Sequence, residues 1–349
     1  MSDLQVRAET PHGRPPISEY DHGVPTNTPP ADRRDESAPT DEGKANVKGN
    51  PDTSRNMDTN MDGGTGGNVE SEAAAGSIEA DADATSTSAE TILARTIEEG
   101  LAELERPSDG LFLSALTAGL ELGTGLFFMA IVWTFTTGVY AEPTREFVVA
   151  LAYASGYVFV VLGRTELFTE HTTLAVLPVL DGRASFGELG RLWGLVYLGN
   201  IVATTVFAAV AVALGPALGV VKPAAFAGIA KLVTAHSPAV LFAGAVFVGW
   251  LMGLLAWLVE GAENDGARAF VVILITFGIG IAHLPHPIAG NLKALMGLFA
   301  GTGVSLAFYG TFLVTTLCGS AVGGAVFVAL LKYGHVVRGQ DDRDVTARF

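Results

Sequence analysis

The sequence contains a single cysteine, Cys318, which lies in an apolar run. A lone cysteine excludes an internal disulfide, and the chain also lacks the Cys and His spacings of zinc sites. We therefore interpret Cys318 as a small packing residue and expect neither a metal nor another cofactor.

Charged residues are scarce, at 16% of the chain, whereas hydrophobic residues make up 49% and the mean hydropathy is +0.39. These values are too apolar for an ordinary soluble domain and favour a membrane protein. Residues 1–88 contain no apolar run, so we expect no secretory signal peptide there.

Positive charge is scarce at the start of the chain. The first hundred residues carry 20 Asp and Glu but 8 Lys and Arg, and so hold −12 of the net charge of −15. Residues 1–88 cannot bury enough apolar surface to offset their chain entropy, so we predict a disordered acidic tail. Such a tail suits a high-salt cytoplasm, which favours a halophile, such as a haloarchaeon, as the source.

Residues 89–106 show a different pattern, because apolar side chains recur there at helical spacing between charged ones. Pro107 ends this pattern. We predict an amphipathic cytoplasmic helix, lying on the membrane surface or on the protein itself. A membrane domain at 107–335 and a short C-terminal tail at 336–349 follow.

The membrane domain contains six apolar runs, and a helix that spans a bilayer needs about 20 apolar residues. The predicted spans are 111–137, 147–164, 192–214, 238–259, 269–283 and 304–331. Spans two and five are short. Each leads into a polar interruption and then into a shorter apolar piece, at 172–180 and at 290–300.

The two interruptions, GRTELFTEHTT at 163–173 and HLPHPIAGN at 283–291, occupy matching places in two successive groups of three spans. An odd number of spans gives the two groups opposite orientations, and paired broken helices in inverted repeats point to a transport site near the bilayer midplane. We predict an all-α membrane protein with six transmembrane helices in two inverted three-helix repeats, helices two and five broken, in an aquaporin-like arrangement. Lys and Arg positions place both termini in the cytoplasm.

Four segments, in this order along the chain, resemble the formate/nitrite transporter family. They are GRTELFTEHT, VYLGNIVATTV, AHLPHPIAGN and TLCGSAVGGAVFVALLKY. The resemblance covers about 105–335 and implies a homopentamer in the cell membrane with one pore per protomer. Departures indicate a divergent branch: Trp250 stands where the family has Asn, Asn291 comes one position late, and Lys231 is the nearest candidate for an expected lysine.

The resemblance implies that His286 is a central pore histidine with Thr169 opposite it. An imidazole titrates near physiological pH, and in an apolar pore its cation would pair with an arriving anion or give it a proton. Two simpler interpretations remain open. His286 could only satisfy loop backbone, and Thr169 could cap the half-helix that follows it.

Further residues at the breaks are candidates for the substrate pathway or for its support. Half-helix N-termini at about 172 and 290 would direct partial positive charge at the midplane, which favours an anion. Apolar side chains at the breaks can narrow a pore and gate it by dewetting. The pathway candidates are Leu167, Phe168, Leu284 and Asn291, and the vestibule or loop-support candidates are Glu166, Glu170, His171, Lys231 and Asn200.

The function that we predict is a channel or proton-linked transporter for small monovalent anions, not an enzyme, with no nucleic-acid partner. One alternative is an aquaporin-like pore for a small neutral solute, and another is a non-transporting membrane scaffold. A third is an intramembrane metalloenzyme, for which the conceivable ligands would be His171, Glu170, His283 and His286.

Overall fold

The computed structural model describes residues 87–346, without the side chains of 171–173, 327–329 and 339–346. All regular structure in this range is helical. Helices α1 to α6 cover Ala89–Glu105, Ser108–Thr136, Glu142–Gly163, Phe168–Leu174, Val176–Leu180 and Phe186–Ala217. Helices α7 to α12 cover Pro223–Thr234, Pro238–Gly261, Asp265–Ile281, Pro287–Phe299, Leu306–Val322 and Leu331–Thr346, and a π-helical segment at Gly323–Leu330 joins the last two.

Five helical runs among the described residues are long and apolar enough to cross a membrane. They are α2, α3, α6, α8 and the run Leu306–Arg338. The predicted span at 269–283 corresponds to α9, whose 17 residues are at the short end of what can cross a bilayer. The predicted tail at 1–88 lies outside the described residues except for its last two, and the segment predicted as a C-terminal tail begins inside α12.

Polar caps fix where α6 and α9 begin. Ser185 and Glu188 form a capping box at the start of α6, in which each side chain accepts a hydrogen bond from the other residue's backbone N–H. Asn264 accepts a bond from the N–H of Ala267 at the start of α9. These caps satisfy N–H groups that the first helical turn leaves without partners, so the apolar helices start at defined positions.

Glycines let the long helices approach closely. Helix α2 packs on α3 and α6, and α8 packs on α11. A Cβ atom at Gly125 would collide with the backbone of Gly156 on α3, and one at Gly249 with the carbonyl oxygen of Ser320 on α11. Packing with backbones in contact is a recurring way for helices to associate in membranes.

Gly249→Ala is expected to destabilise the protein, because the new methyl group meets rigid backbone rather than a movable side chain. Overpacking of this kind costs about 1–3 kcal/mol. The matched control is Gly310→Ala on α11, where a Cβ meets nothing within 4 Å. Thermal unfolding of the purified variants tests the difference, and equal melting temperatures would contradict the close approach.

Helices α3 and α9 end in the same unusual way. Arg164 follows α3 with φ 53°, and His283 follows the end of α9 with φ 52°; they are the two non-glycine residues of the described range with positive φ. The chain then restarts at α4 and α10. These half-helices begin at Phe168 and Pro287, earlier than the predicted 172 and 290.

Each half-helix packs against the other half of the chain. Helix α4 contacts α8 and the π-helical segment, whereas α10 contacts α6, α7 and α2. Helices α3 and α9 pack directly on each other. The second part of each break, residues 166–170 and 285–290, is therefore buried in protein, whereas Arg164 is exposed.

Candidate functional site

The two breaks meet through one buried hydrogen bond. Oγ1 of Thr169 lies 3.0 Å from Nε2 of His286, and the two residues are 0% and 1% exposed. His286 is also the N-cap of α10, because its Nδ1 accepts bonds of 3.2 Å from the N–H groups of Ile288 and Ala289. Since Nδ1 accepts, the proton of the neutral ring lies on Nε2, which donates to Thr169.

This geometry can be compared with the two simpler interpretations, in which His286 only satisfies loop backbone and Thr169 only caps a half-helix. His286 does satisfy backbone at its break, but only with Nδ1, so Nε2 remains directed at the other half of the chain. Thr169 is the second residue of α4, and its hydroxyl contacts His286. The hydroxyl can donate or accept, so it can adapt to either state of the ring.

Asn200 on α6 holds the first break in place. Its Oδ1 accepts a bond of 2.9 Å from the N–H of Phe168, and its Nδ2 donates to the carbonyl oxygens of Ala115 and Glu166 at 2.8 and 2.9 Å. Leu167 is fully buried, and the Phe168 ring packs edge-on against Trp193 and Tyr197. This irregular segment is thus fixed from outside by α6.

Asn200→Ala is expected to destabilise the protein strongly, because the N–H of Phe168 and two carbonyls would lose buried partners. Each unsatisfied group costs about 1–3 kcal/mol. Asn264→Ala is the matched control, since it removes an exposed helix cap worth about 1 kcal/mol. Thermal unfolding of both variants is the measurement, and an Asn200 effect no larger than the control would contradict this role.

Helix α1 reaches the same break through an ion pair. Arg106 contacts the carboxylate of Glu166, which is 2% exposed, and it also pairs with Glu103 at 2.9 Å. The N–H of Glu166 donates to Oγ of Ser114 on α2. The carboxylate of Glu121 accepts a bond of 2.6 Å from the Thr165 hydroxyl. The first break is therefore tied to α1 and α2 as well as to α6.

The second break is connected less extensively. Leu284 is partly buried, and Asn291 is fully buried on α10. Nδ2 of Asn291 donates to the Thr204 hydroxyl at 2.8 Å, and its Oδ1 accepts from the Tyr309 hydroxyl at 2.7 Å. Asn291 thus links α10 to α6 and α11.

Lys293 is a buried ionisable residue that the sequence analysis missed. It lies on α10, is 2% exposed, and places Nζ 4.3 Å from the ring centroid of Tyr153. The expected lysine was assigned to Lys231, which is exposed on α7. An ionisable side chain inside the short apolar segment LKALMGLF was the available signal.

A cavity of about 350 Å³ lies beside the first break. Its lining includes Glu166 and Glu170, and the side chain of His171 lies outside the described set. Six carboxylates and two guanidinium groups line the cavity, so acidic groups predominate. They belong to Glu99, Glu103, Glu166, Glu170, Glu260, Asp265, Arg164 and Arg268. Among the side chains that the structure describes, no three His, Cys, Asp or Glu residues lie together as a metal site would require.

The single cysteine lies in a different environment from the one expected. Cys318 is exposed on α11 and is not a packing residue within the chain.

Comparison with known proteins decides the family. The model of the formate/nitrite transporter family matches residues 90–334. The chain belongs to this family. The inner membrane protein YfdC of Escherichia coli (strain K12) is 33% identical to it over 261 residues, which are 74% of this chain and 82% of YfdC. This family member is therefore a multi-pass membrane protein.

Two solved structures share its fold. An FNT family ion channel superposes with a TM-score of 0.62 and 20% identity, covering 70% of this chain and 98% of that one. A pentameric formate channel with formate bound superposes with a TM-score of 0.56 and 22% identity, covering 66% and 98%. Both resemblances extend over nearly the whole of the solved channels.

Proposed function

We propose that this chain forms a channel or proton-linked transporter for small monovalent anions such as formate or nitrite, with His286 as the central pore histidine. The observation that carries the proposal is the buried Thr169–His286 hydrogen bond, which joins the two helix breaks. The family membership and the formate-bound structural neighbour support the substrate class.

The neutral His286 ring offers an N–H donor to an anion. Nε2–H donates to Thr169 at rest, and an arriving anion can take the place of that hydroxyl. Formation of the imidazolium would need a proton on Nδ1, which would break the two cap bonds to Ile288 and Ala289. A bound anion offsets that cost by pairing with the cation, so protonation and anion binding favour each other.

Side chains at the breaks complete the proposed pathway. Leu167 and Phe168 from one break and Leu284 from the other form apolar constrictions that a passing anion must cross. The half-helices start at Phe168 and Pro287, and their dipoles would direct partial positive charge toward the middle of the membrane. Asn291 belongs to the pathway, Asn200 and Glu166 support the first break, and Glu170 with His171 belongs to the vestibule.

We infer six membrane spans in two inverted repeats, counting α9 with α10 as the broken fifth span. Matching contacts support this: a Cβ at Gly199 would lie 2.6 Å from that of Ala115, and a Cβ at Gly319 would lie 2.8 Å from that of Ala245. Each glycine precedes a buried polar residue, Asn200 or Ser320. The positive φ angles at the ends of α3 and α9 match in the same way.

We also infer a homopentamer with both termini in the cytoplasm and residues 1–88 as a disordered tail. The pentameric structural neighbour supports the assembly. One face of α6 presents apolar side chains that the described part of the chain leaves exposed, suited to lipid or a neighbouring protomer. They are Leu198, Val202, Val206, Val210 and Leu214.

A pore for a small neutral solute is the second candidate, because the acidic lining of the cavity would repel an anion. The two functions differ in their response to voltage: flux of an anion changes with membrane potential unless a proton accompanies it, and flux of a neutral solute does not.

The decisive experiment is flux into proteoliposomes that contain the purified protein and an internal pH dye. Formate, nitrite, acetate, chloride and hydrosulfide are added in turn, with urea and glycerol as neutral solutes followed by light scattering. We expect selective uptake of the weak-acid anions. Uptake of neutral solutes with no anion flux would overturn the proposal.

A further inference from the structure

We propose that Glu146 and His283 form a positioning pair that sets the width of the pathway at Leu284, and so sets the largest carboxylate anion that passes. This inference rests on the proposed function and extends it from the class of the substrate to its size. In the proposed orientation α3 begins outside the cell, so the pair lies on the external side of the second break.

His283 holds a backbone conformation that is costly for a residue with a side chain. Its φ angle is 52°, in the left-handed region that favours glycine. Such a conformation persists where the surrounding contacts fix it. The N–H of His283 donates to the carbonyl of Gly280 at 3.2 Å, and the N–H of Leu284 donates to that of Ile279 at 3.1 Å. These bonds close the end of α9, and the side chain of His283 supplies a further contact beyond the helix.

This further contact is with Glu146 on α3. Nε2 of His283 lies 3.3 Å from Oε2 of Glu146, and the two side chains are 33% and 19% exposed. Oε2 is a buried atom that makes no hydrogen bond with the described groups. A buried carboxylate oxygen without a partner is costly, so contact with the ring N–H stabilises it. Movement of His283 away from α3 would therefore cost free energy.

Glu146 is itself fixed from the other side. Its Oε1 lies 2.8 Å from Nη2 of Arg145, whose guanidinium stacks on the Trp133 ring at 4.6 Å. A Cβ atom at Gly228 on α7 would lie 2.5 Å from that ring, so the ring has no room to move in this direction. Helices α2, α3 and α7 together hold the carboxylate against the second break.

The pair acts on Leu284 through the backbone. Leu284 follows His283 directly, and its carbonyl accepts a bond of 2.9 Å from the N–H of His286. The next residue, Pro285, packs against α8, where a Cβ atom at Gly244 would lie 2.6 Å from the proline ring. Since this far side of the turn is fixed, Leu284 moves aside only when His283 leaves Glu146.

A small anion and a larger one differ in what they require of this segment. Formate passes a narrow opening, whereas acetate and propionate carry one and two more carbon atoms and require Leu284 to move aside. That movement breaks the contact between His283 and Glu146. The larger anions therefore meet an additional barrier of about one net hydrogen bond, which is a factor of about five in rate.

The test is the rate of acetate and propionate uptake relative to formate uptake in proteoliposomes, corrected for uptake by protein-free vesicles. We expect His283→Gly to raise both ratios about fivefold, because glycine keeps the left-handed turn but cannot contact Glu146. Glu146→Ala is expected to raise them by a similar factor. His283→Gln, whose amide group can occupy the place of Nε2, is expected to keep the ratios of the wild type.

Two matched controls change similar groups outside the pair. Arg164→Gly replaces the other non-glycine residue of the described range with positive φ, at the first break. Glu142→Ala removes an exposed carboxylate that lies 3.3 Å from Arg145 at the same end of α3, an ion pair of a kind that contributes little. Both variants are expected to leave the two uptake ratios unchanged. Gel filtration and thermal unfolding establish that every variant is assembled.

The outcomes separate this inference from the proposed function. Unchanged ratios in an assembled His283→Gly protein that still takes up formate would overturn the positioning pair alone. Ratios raised equally by Arg164→Gly would also overturn it, because loosening of either break would then suffice. Absence of anion flux in the wild type would overturn the proposed function and this inference with it.

Discussion

Replacing His286 by asparagine is expected to reduce formate flux at least about tenfold while leaving the protein folded. Asparagine is among the best N-cap residues, so it can accept the bonds that Nδ1 takes from Ile288 and Ala289. It has no titratable ring and no Nε2–H aimed at Thr169. The pH dependence of flux between about pH 5 and 8 should therefore flatten as well. Proteoliposome uptake across that range is the measurement.

His286→Ala distinguishes the two roles of the ring. Alanine removes the cap as well as the donor, so we expect a further loss of stability of about 1 kcal/mol relative to the asparagine variant. Melting temperatures measure the cap, and flux measures the donor. Wild-type flux and pH profile in the asparagine variant would assign His286 to structure alone.

Truncation of the chain is expected to reduce formate flux about as much as replacement of His286 does, but only when it removes α1. A chain that starts at residue 88 should assemble and transport as the full protein does. A chain that starts at residue 107 should lose flux, because α1 buries Leu93, Ile97 and Leu104 against the rest of the chain. Burial of such side chains contributes about 1.5–3 kcal/mol each. Gel filtration and formate uptake compare the two truncated proteins.

Arg106→Met in the full chain separates the ion pair from the apolar contact. The apolar face of α1 remains, whereas the charge that pairs with Glu166 is lost. If α1 matters through this pair, the variant should assemble but show reduced flux. Full flux from the chain that starts at residue 107 would contradict a role for α1 altogether.

The positions of the two breaks could be predicted from the sequence, because polar residues inside long apolar runs are expensive in a membrane. The starts of the half-helices could not. Helix α10 begins at a histidine ring that acts as N-cap, a role usually taken by Ser, Thr, Asp or Asn. The start of α4 depends on the amide of Asn200, which is 32 residues away along the chain.

The contact between Thr169 and His286 was expected from the family resemblance. No local sequence pattern could predict it, because 117 residues separate the two positions. Lys293 was missed for a related reason. A lysine was expected near the fourth span, and although the apolar segment around Lys293 indicates an ionisable side chain within the membrane, it does not indicate that this side chain lies against the Tyr153 ring. Helical periodicity indicates on which side of a helix a residue lies, but tertiary packing determines which residues that side contacts.

The acidic cavity beside the first break is lined in part by α1, so in the proposed orientation it opens to the cytoplasm, and access to the proposed pathway from that side would depend on ionic strength. Electrostatic fields decay over about 10 Å at 0.1 M salt and about 3 Å at 1 M. At low ionic strength the six carboxylates would repel an approaching anion, whereas at high ionic strength dissolved cations would mask them. Under the proposed function, entry of an anion from the cytoplasm would therefore be slow at low ionic strength and faster at high ionic strength.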